Sequence, residues 1–483
     1  MMLVMTSTRH PTTRWFLLAL VAVGTFMSTL DASIVTVAMP TLTSAFGTSV
    51  ATSQWFVLAY TFAVTVLLLP FGRLGDIHGR RRLYVFGVAV FSAGSLVCGV
   101  SVSALMLILA RGLQGIGSAA VMSCGPALVT QAFPPEQRGK SLGFIGTAVA
   151  FGLLAGPVVG GFIIQHADWR WMFFINIPIG LALAAMLTTG VHGFDESRDG
   201  TLDVPGAILL TICLASFLTA TTFGSKIGWS SVWIVALLLA AAAACAAFIL
   251  LERSRQTPIL DVRLFREREF FIGAIAGWAN YAATMPIAVF VPFYLQNVLS
   301  LSPQTVGLVV ASGPLTLAFV APVVGSLSDR IGSRFLTSTG LLTAGVGLLM
   351  LRTLGLGASI WDVVWRLVLV SLGSAVFVSP NSSAVMGSVP RENLGVAGGV
   401  IALVRNLGMV CGVAVAGAII TTVQKSHQVT GELAKMTHVA ESLGFLAGLK
   451  SVFLVSAIIL LCASFLSAMR VRPGDREAFE RMG

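Results

Sequence analysis

The stretch TFMSTLDASIVTVAMP, residues 25–40, fits a hydrocarbon environment except at one position, Asp31. The apolar run around it begins near Trp15, so the segment is longer than the roughly 20 residues a helix needs to cross a bilayer core about 30 Å thick. A carboxylate in the middle of such a helix costs about 2.5–3.5 kcal/mol on insertion scales, so it calls for a partner or a purpose.

The rest of the chain is written in the same language. Of its 483 residues 56% are hydrophobic and only 10% are charged, with a mean hydropathy of +0.90. That balance defines an all-α polytopic membrane protein. Apolar runs of membrane-crossing length fall at 15–38, 50–71, 83–102, 104–125, 141–163, 172–190, 204–223, 229–251, 270–296, 304–325, 334–352, 360–380, 394–421 and 450–469, giving fourteen expected spans. The first is expected to stay as a span, because its apolar run is long and no small-residue cleavage site follows.

A net charge of +10 could suggest a nucleic-acid partner. The charges instead sit in short loops between apolar runs, with no basic stripe interleaved with aromatics, and nucleic acid is excluded as a partner. With both termini cytoplasmic, only Arg170, Lys226, Arg352, Lys425, Lys435 and Lys450 fall outside and Arg111, Arg366 and Arg405 within spans, and the remaining Lys and Arg lie inside. The positive-inside rule therefore sets the orientation. Trp55, Trp169, Trp171, Trp229, Trp233, Trp361 and Trp365 then gather near the outer headgroup level, where such rings are favoured.

The six cysteines lie in apolar runs without a CxxC pair, and the six histidines lie in loops or tails. Neither a disulfide framework nor a metal site is expected, and a histidine relay within the membrane is ruled out. There is no HExxH and no P-loop, so neither an intramembrane enzyme nor ATP drive is expected, and no cofactor.

The chain also repeats itself. GRLGDIHGRRR from Gly72 and GSLSDRIGSRF from Gly325 share Gly, Leu, Asp, Gly and Arg at five matching offsets, 253 residues apart. An arginine early in a span recurs with small residues and a proline behind it, as Arg111, Gly117, Ser118, Ala119, Pro126 and as Arg366, Gly373, Ser374, Ala375, Pro380. The reading is two parallel six-span halves, 1–190 and 270–483, with two helices and their flanking loops inserted between them at 191–269.

These residues resemble the major facilitator superfamily, and within it the fourteen-span branch of drug:proton antiporters. LDASIVTVAMP is similar to that branch's first-span signature, although Ser33 and Thr36 stand where Thr and Asn are usual. GRLGDIHGRRR resembles the loop motif after span 2, and LARGLQGIGSAA (109–120) the span 4 motif. GFIGTAVAFGLLAGPVVGG (143–161) resembles the antiporter motif of span 5, and DWRWMFFINIPIG (168–180) the entry to span 6.

Each motif also has its own physics. Gly143, Gly152, Gly156 and Gly160, spaced by nine, four and four, are read as one helical face open to close approach, with Pro157 able to bend the helix and Gly161 beside it. Such a face either merely packs or, as the resemblance implies, seals an exporter against leakage. Gly72, Gly75 and Gly79 allow a tight turn, and Asp76 can cap a helix or pair with arginine. Arg80 and Arg81 satisfy the positive-inside rule, and the resemblance makes this loop, with Asp329 and Arg334 in its repeat, a latch remade in each cycle. Arg111, about 10 Å below the outer end of span 4, shares a depth with Asp31. Their pairing is either a structural ion pair or a switch for proton coupling.

Of the twenty acids only Asp31 lies well inside a span, which makes it the candidate proton carrier. Gln114, Trp278, Asn280, Tyr281, Tyr294, Gln296 and Arg405 are candidate cavity residues, aromatic and polar groups suited to a flat or greasy ligand, though the same residues could simply pack helices. The function expected from the resemblance is proton-coupled export of amphiphilic drugs, dyes or antibiotics, by a monomer in a bacterial inner membrane. The alternative is a lipid or glycolipid translocator of the same fold, for which an outer loop at 422–449 would suit a lipid route.

Overall fold

The computed structural model describes residues 11–190, 203–255, 262–331, 333–389, 394–426 and 437–470. Fourteen of its helices are long and apolar enough to cross a membrane. In order they are spans 1 to 14: Thr13–Ala45, Val50–His78, Arg80–Gly99, Ala104–Ala132, Ser141–His166, Trp171–Gly190, Val204–Gly224, Val232–Ser254, Arg268–Val298, Pro303–Gly325, Ser333–Leu351, Ile360–Gly387, Val400–Gln424 and Ser442–Ala468. All fourteen expected runs are there, and among the described residues there is no strand. The end of the molecule that carries the loop at Gly79 is called the inner end below.

Local chemistry starts and stops these helices. Ser103 accepts from the Met106 amide at the head of span 4, and Ser359 with Asp362 forms a capping box at the head of span 12. Between spans 2 and 3 the chain turns in a single residue, Gly79, at φ 98°, a conformation that glycine alone adopts without strain. Span 9 holds Pro286 and Pro292 and unwinds into a π turn at Tyr294–Val298. The ends of spans 13 and 14 run further than apolar length suggests, to Ser426 and from Thr437. Helical backbone continues past the hydrocarbon because it satisfies its own hydrogen bonds, so helix takes up both ends of the long loop expected at 422–449, and its middle lies outside the described residues.

The packing has a repeat of its own. Span 3 packs on span 4, span 1 on span 5, span 2 on span 4 and span 3 on span 6. Eight spans later 11 packs on 12, 9 on 13, 10 on 12 and 11 on 14. Spans 1–6 and 9–14 thus form two bundles of one design. They meet along two seams that the repeat interchanges, span 5 with span 10 and span 2 with span 13, and where span 1 packs on span 9. Spans 7 and 8 pair with each other, and span 7 lies on the span 2–span 13 seam alone.

Burial follows position. The most apolar window of span 1 is 72% buried and that of span 8 only 22%, so span 1 is central and span 8 faces lipid. One large apolar cluster joins the two bundles towards their outer ends, through Ile34, Leu42, Phe56, Trp169, Phe290, Phe293 and Leu348. At the inner ends the clusters around Leu83 and Leu128 in the first bundle and Phe270 and Val385 in the second are separate, and a smaller cluster through span 7 links Val66 of span 2 to Leu403 of span 13. The described molecule is therefore shut at its outer end.

Candidate functional site

Asp31 is 1% exposed and Arg111 and Gln114 are fully buried. Arg111 Nη1 donates to Asp31 Oδ2 at 2.5 Å, so the shared depth read from the sequence is a direct ion pair. The other carboxylate oxygen, Oδ1, accepts from Gln114 Nε2 at 2.7 Å and from Asn176 Nδ2 at 3.0 Å. Charge-assisted bonds of this kind are the strong ones, and burial leaves no water to compete with them.

Each partner is held in turn. Arg111 Nε donates to the Phe56 carbonyl at 2.8 Å, Nη1 also reaches Gln114 Oε1, and the guanidinium lies 4.3 Å above the Tyr60 ring. Tyr60 donates to Ser118 Oγ at 2.7 Å or to the Ser28 carbonyl at 3.1 Å. Gln114 Nε2 also bonds Ser95 Oγ at 2.7 Å. Spans 1, 2, 3, 4 and 6 are therefore joined in one network, in which spans 4 and 6 bond the Asp31 carboxylate directly and spans 2 and 3 hold its partners. Arg111 Nη2 and Asn176 Oδ1 have no hydrogen-bond partner, an incomplete satisfaction that is costly in such surroundings.

Span 5 closes the remaining side. A Cβ on Gly152 would lie 2.1 Å from Thr29 Oγ1, one on Gly156 1.8 Å from Ser33 Oγ, and one on Gly160 2.7 Å from Ile34 Cγ1. Three glycines of the span 5 motif thus press onto the helix that carries Asp31, at Thr29 on one side of it and at Ser33 and Ile34 on the other, and Ser33 donates to the Gly152 carbonyl at 3.0 Å. Pro157 and Gly161 face the other way, against Gly307 and Pro303 of span 10. Gly143 departs from the face expected of it, with nothing within 4 Å of its Cβ position. Nine residues make two and a half turns at 3.6 per turn, which puts Gly143 on the side opposite Gly152.

At the inner end Arg80 pairs with Asp76 at 2.7 Å and donates to the Ala127 carbonyl on span 4 at 3.2 Å. Arg81 donates to the Leu187 carbonyl on span 6 at 2.8 Å. Both arginines thus meet late carbonyls of neighbouring helices, where a cation is favoured. Gly75 sits 2.9 Å, measured from its Cβ position, from Cys124 Sγ, whereas Gly72 faces open space. In the repeated loop Arg334 is half-buried, and the Asp329 side chain lies outside the described residues.

The residues expected to line a cavity do not come together. Gln114 belongs to the Asp31 network. Asn280 accepts from Ser374 at 3.1 Å, and Tyr294 donates to the Gly355 carbonyl at 2.6 Å near the outer end. Gln296 donates to the Val37 carbonyl at 3.3 Å across the two bundles. Trp278 and Tyr281 lie beside Gly408 on span 13. Arg405 is half-buried, eleven residues into the helix Leu394–Ser426. Arg366, the counterpart of Arg111 in the repeat, pairs with Asp362 at 3.1 Å and reaches the Met350 carbonyl at 3.0 Å, an outer-end staple with no buried acid.

Asn176, Ser95 and Tyr60 escaped the sequence reading, and Ser118 entered it only as part of the repeat. Asn176 stood within a quoted motif, as an amide in an otherwise apolar entry to span 6, and that polarity was its signal.

Two helical bundles of one design, the first holding a buried ion pair, built from fourteen helices long and apolar enough to cross a membrane, are the architecture of a multi-pass membrane transporter. The Major Facilitator Superfamily model matches residues 21–250, 204–413 and 270–482, and the chain belongs to that family. The riboflavin transporter RibZ of Clostridioides difficile is 34% identical over 83% of this chain and 87% of its own. Multidrug resistance protein Stp of Mycobacterium tuberculosis is 33% identical over 84% and 76%. Among solved structures, a bacterial homologue of the human lysosomal transporter Spinster aligns with TM-score 0.69 at 16% identity, covering 96% of this chain and all of that one, a likeness of fold.

Proposed function

We infer that this transporter exports amphiphilic, drug-like molecules in exchange for protons, with its inner end in the cytoplasm, and that Asp31 is the group that takes up and releases the proton. The observation that carries this reading is the network of five spans built around one buried carboxylate, backed by span 5. A proton on Asp31 cancels its charge and dissolves the pairing with Arg111, so protonation changes the forces between spans 1, 4 and 6 at once. The two bundles rock about the Asp31 level, and the outer cluster and the Asp76–Arg80 loop close and open in alternation.

The energetics suffice. One charge moved through 100 mV supplies about 2.3 kcal/mol, which at about 1.4 kcal/mol per tenfold sustains a gradient of roughly fifty-fold per proton. Stp supports a drug as cargo, and RibZ, at similar identity, favours a second cargo class of planar vitamin-like molecules. Uptake into everted vesicles across a panel of dyes, antibiotics and riboflavin, with and without an uncoupler, tests both. Accumulation that the uncoupler abolishes supports the reading, and accumulation indifferent to it refutes proton drive.

A further inference from the structure

Gln54 stands at the outer end of span 2, between a short helical turn at Val50–Ser53 and the helix Trp55–His78. Its backbone is satisfied, with the amide bonded to the Val50 carbonyl at 3.1 Å and its own carbonyl accepting from Leu58 at 2.9 Å. Its side chain is fully buried, and neither Nε2 nor Oε1 has a hydrogen-bond partner. The amide lies flat on Gly417 of span 13, where a Cβ would fall 1.8 Å from Oε1 and 2.6 Å from Cδ. Phe56 and Val57 beside it in the chain, and Val413, Ala414, Ala416 and Ile420 around Gly417, belong to the outer apolar cluster.

The matching seam is built differently. The residue 253 positions after Gln54, the offset between the two repeated loops, is Gly307 on span 10. Gly307 packs against the Pro157 carbonyl and Gly161 of span 5. One seam closes glycine on backbone. The other closes on a primary amide that loses its water and gains nothing.

We propose that Gln54 is the release residue of the outer gate. Burying an amide without partners is unfavourable, and its donors and acceptor regain water only when span 13 withdraws from span 2. The unpaired amide keeps outer closure reversible in an otherwise apolar seam that would stay shut, and Gly417 is what lets the seam shut at all. The inference rests on the alternating access proposed above, but not on protons or on the cargo.

The test is the labelling rate of Gln296→Cys, whose parent side chain crosses the bundles to Val37, by a membrane-impermeant charged maleimide in right-side-out vesicles holding the full-length protein. The background without the added cysteine corrects for the six native thiols. Gln54→Leu keeps the volume and removes the unpaired groups, and it is expected to label about tenfold more slowly, the worth of one unsatisfied buried polar group. Gly417→Val, too bulky for a shift of the amide to absorb, is expected to label several-fold faster. Gln54→Met is read the same way as Gln54→Leu should that variant fail to reach the membrane. Labelling of the Leu and Met variants at the parent rate or faster overturns the proposal, as does slower labelling of Gly417→Val. Because labelling needs neither cargo nor a pH gradient, uncoupler-insensitive uptake by the parent protein with these shifts intact would refute the proposed function and leave the gate standing.

Discussion

Asn176 donates to the Oδ1 of Asp31 at 3.0 Å although 145 residues separate them, which ties span 6 to the same carboxylate that spans 1 and 4 share. The acid is therefore held in a pocket of named donors, and changes to those donors should show in function and stability differently from changes elsewhere.

Asn176→Ala removes one of three hydrogen bonds to a buried carboxylate. It should lower stability by about 1–3 kcal/mol and alter the pH dependence of transport, because the deprotonated form of Asp31 loses a stabilising donor. Thermal unfolding in detergent and a pH profile of transport check both, and an unchanged profile would make Asn176 a packing residue only.

Arg111 and Arg366 occupy corresponding places in the repeat yet differ in burial. The Arg111 pair is fully buried, whereas Asp362 beside Arg366 is 46% exposed. Arg111→Gln leaves a buried charge alone and should cost about 3–5 kcal/mol. Arg366→Gln should cost under about 1 kcal/mol. Denaturation of the two variants side by side decides the comparison.

Gly156→Leu and Gly143→Ala form a matched pair within span 5. The first drives a side chain into Ser33 and should abolish transport while separating spans 1 and 5. The second adds a methyl in open space and should leave transport intact, with a stability gain of up to about 1 kcal/mol from helix propensity. Transport and melting of both variants read the outcome.

Much of this was legible in the sequence. Span number follows from hydrocarbon thickness, which leaves a strong signature, and the pairing of Asp31 with Arg111 follows from the cost of a lone charge and a count of depth. What escaped depends on azimuth. Gly143 was misassigned because its distance from Gly152 is two and a half turns, and Gln114 was placed in a cavity because its side of span 4 cannot be read without span 3. Ser95 and Asn176 are small polar residues, common in spans for many reasons, and only packing shows that Asn176 reaches the Asp31 carboxylate and Ser95 the Gln114 amide beside it. The seam at Gln54 and Gly417 was invisible for a further reason, since it joins residues on two bundles whose approach no local pattern records.

The central claim is that Asp31 carries the proton. Purified Asp31→Asn protein in proteoliposomes, given an imposed pH gradient and a transported dye, tests it most directly. The account predicts that gradient-driven accumulation is lost while dye exchange without a gradient persists. Accumulation at the wild-type rate would contradict it.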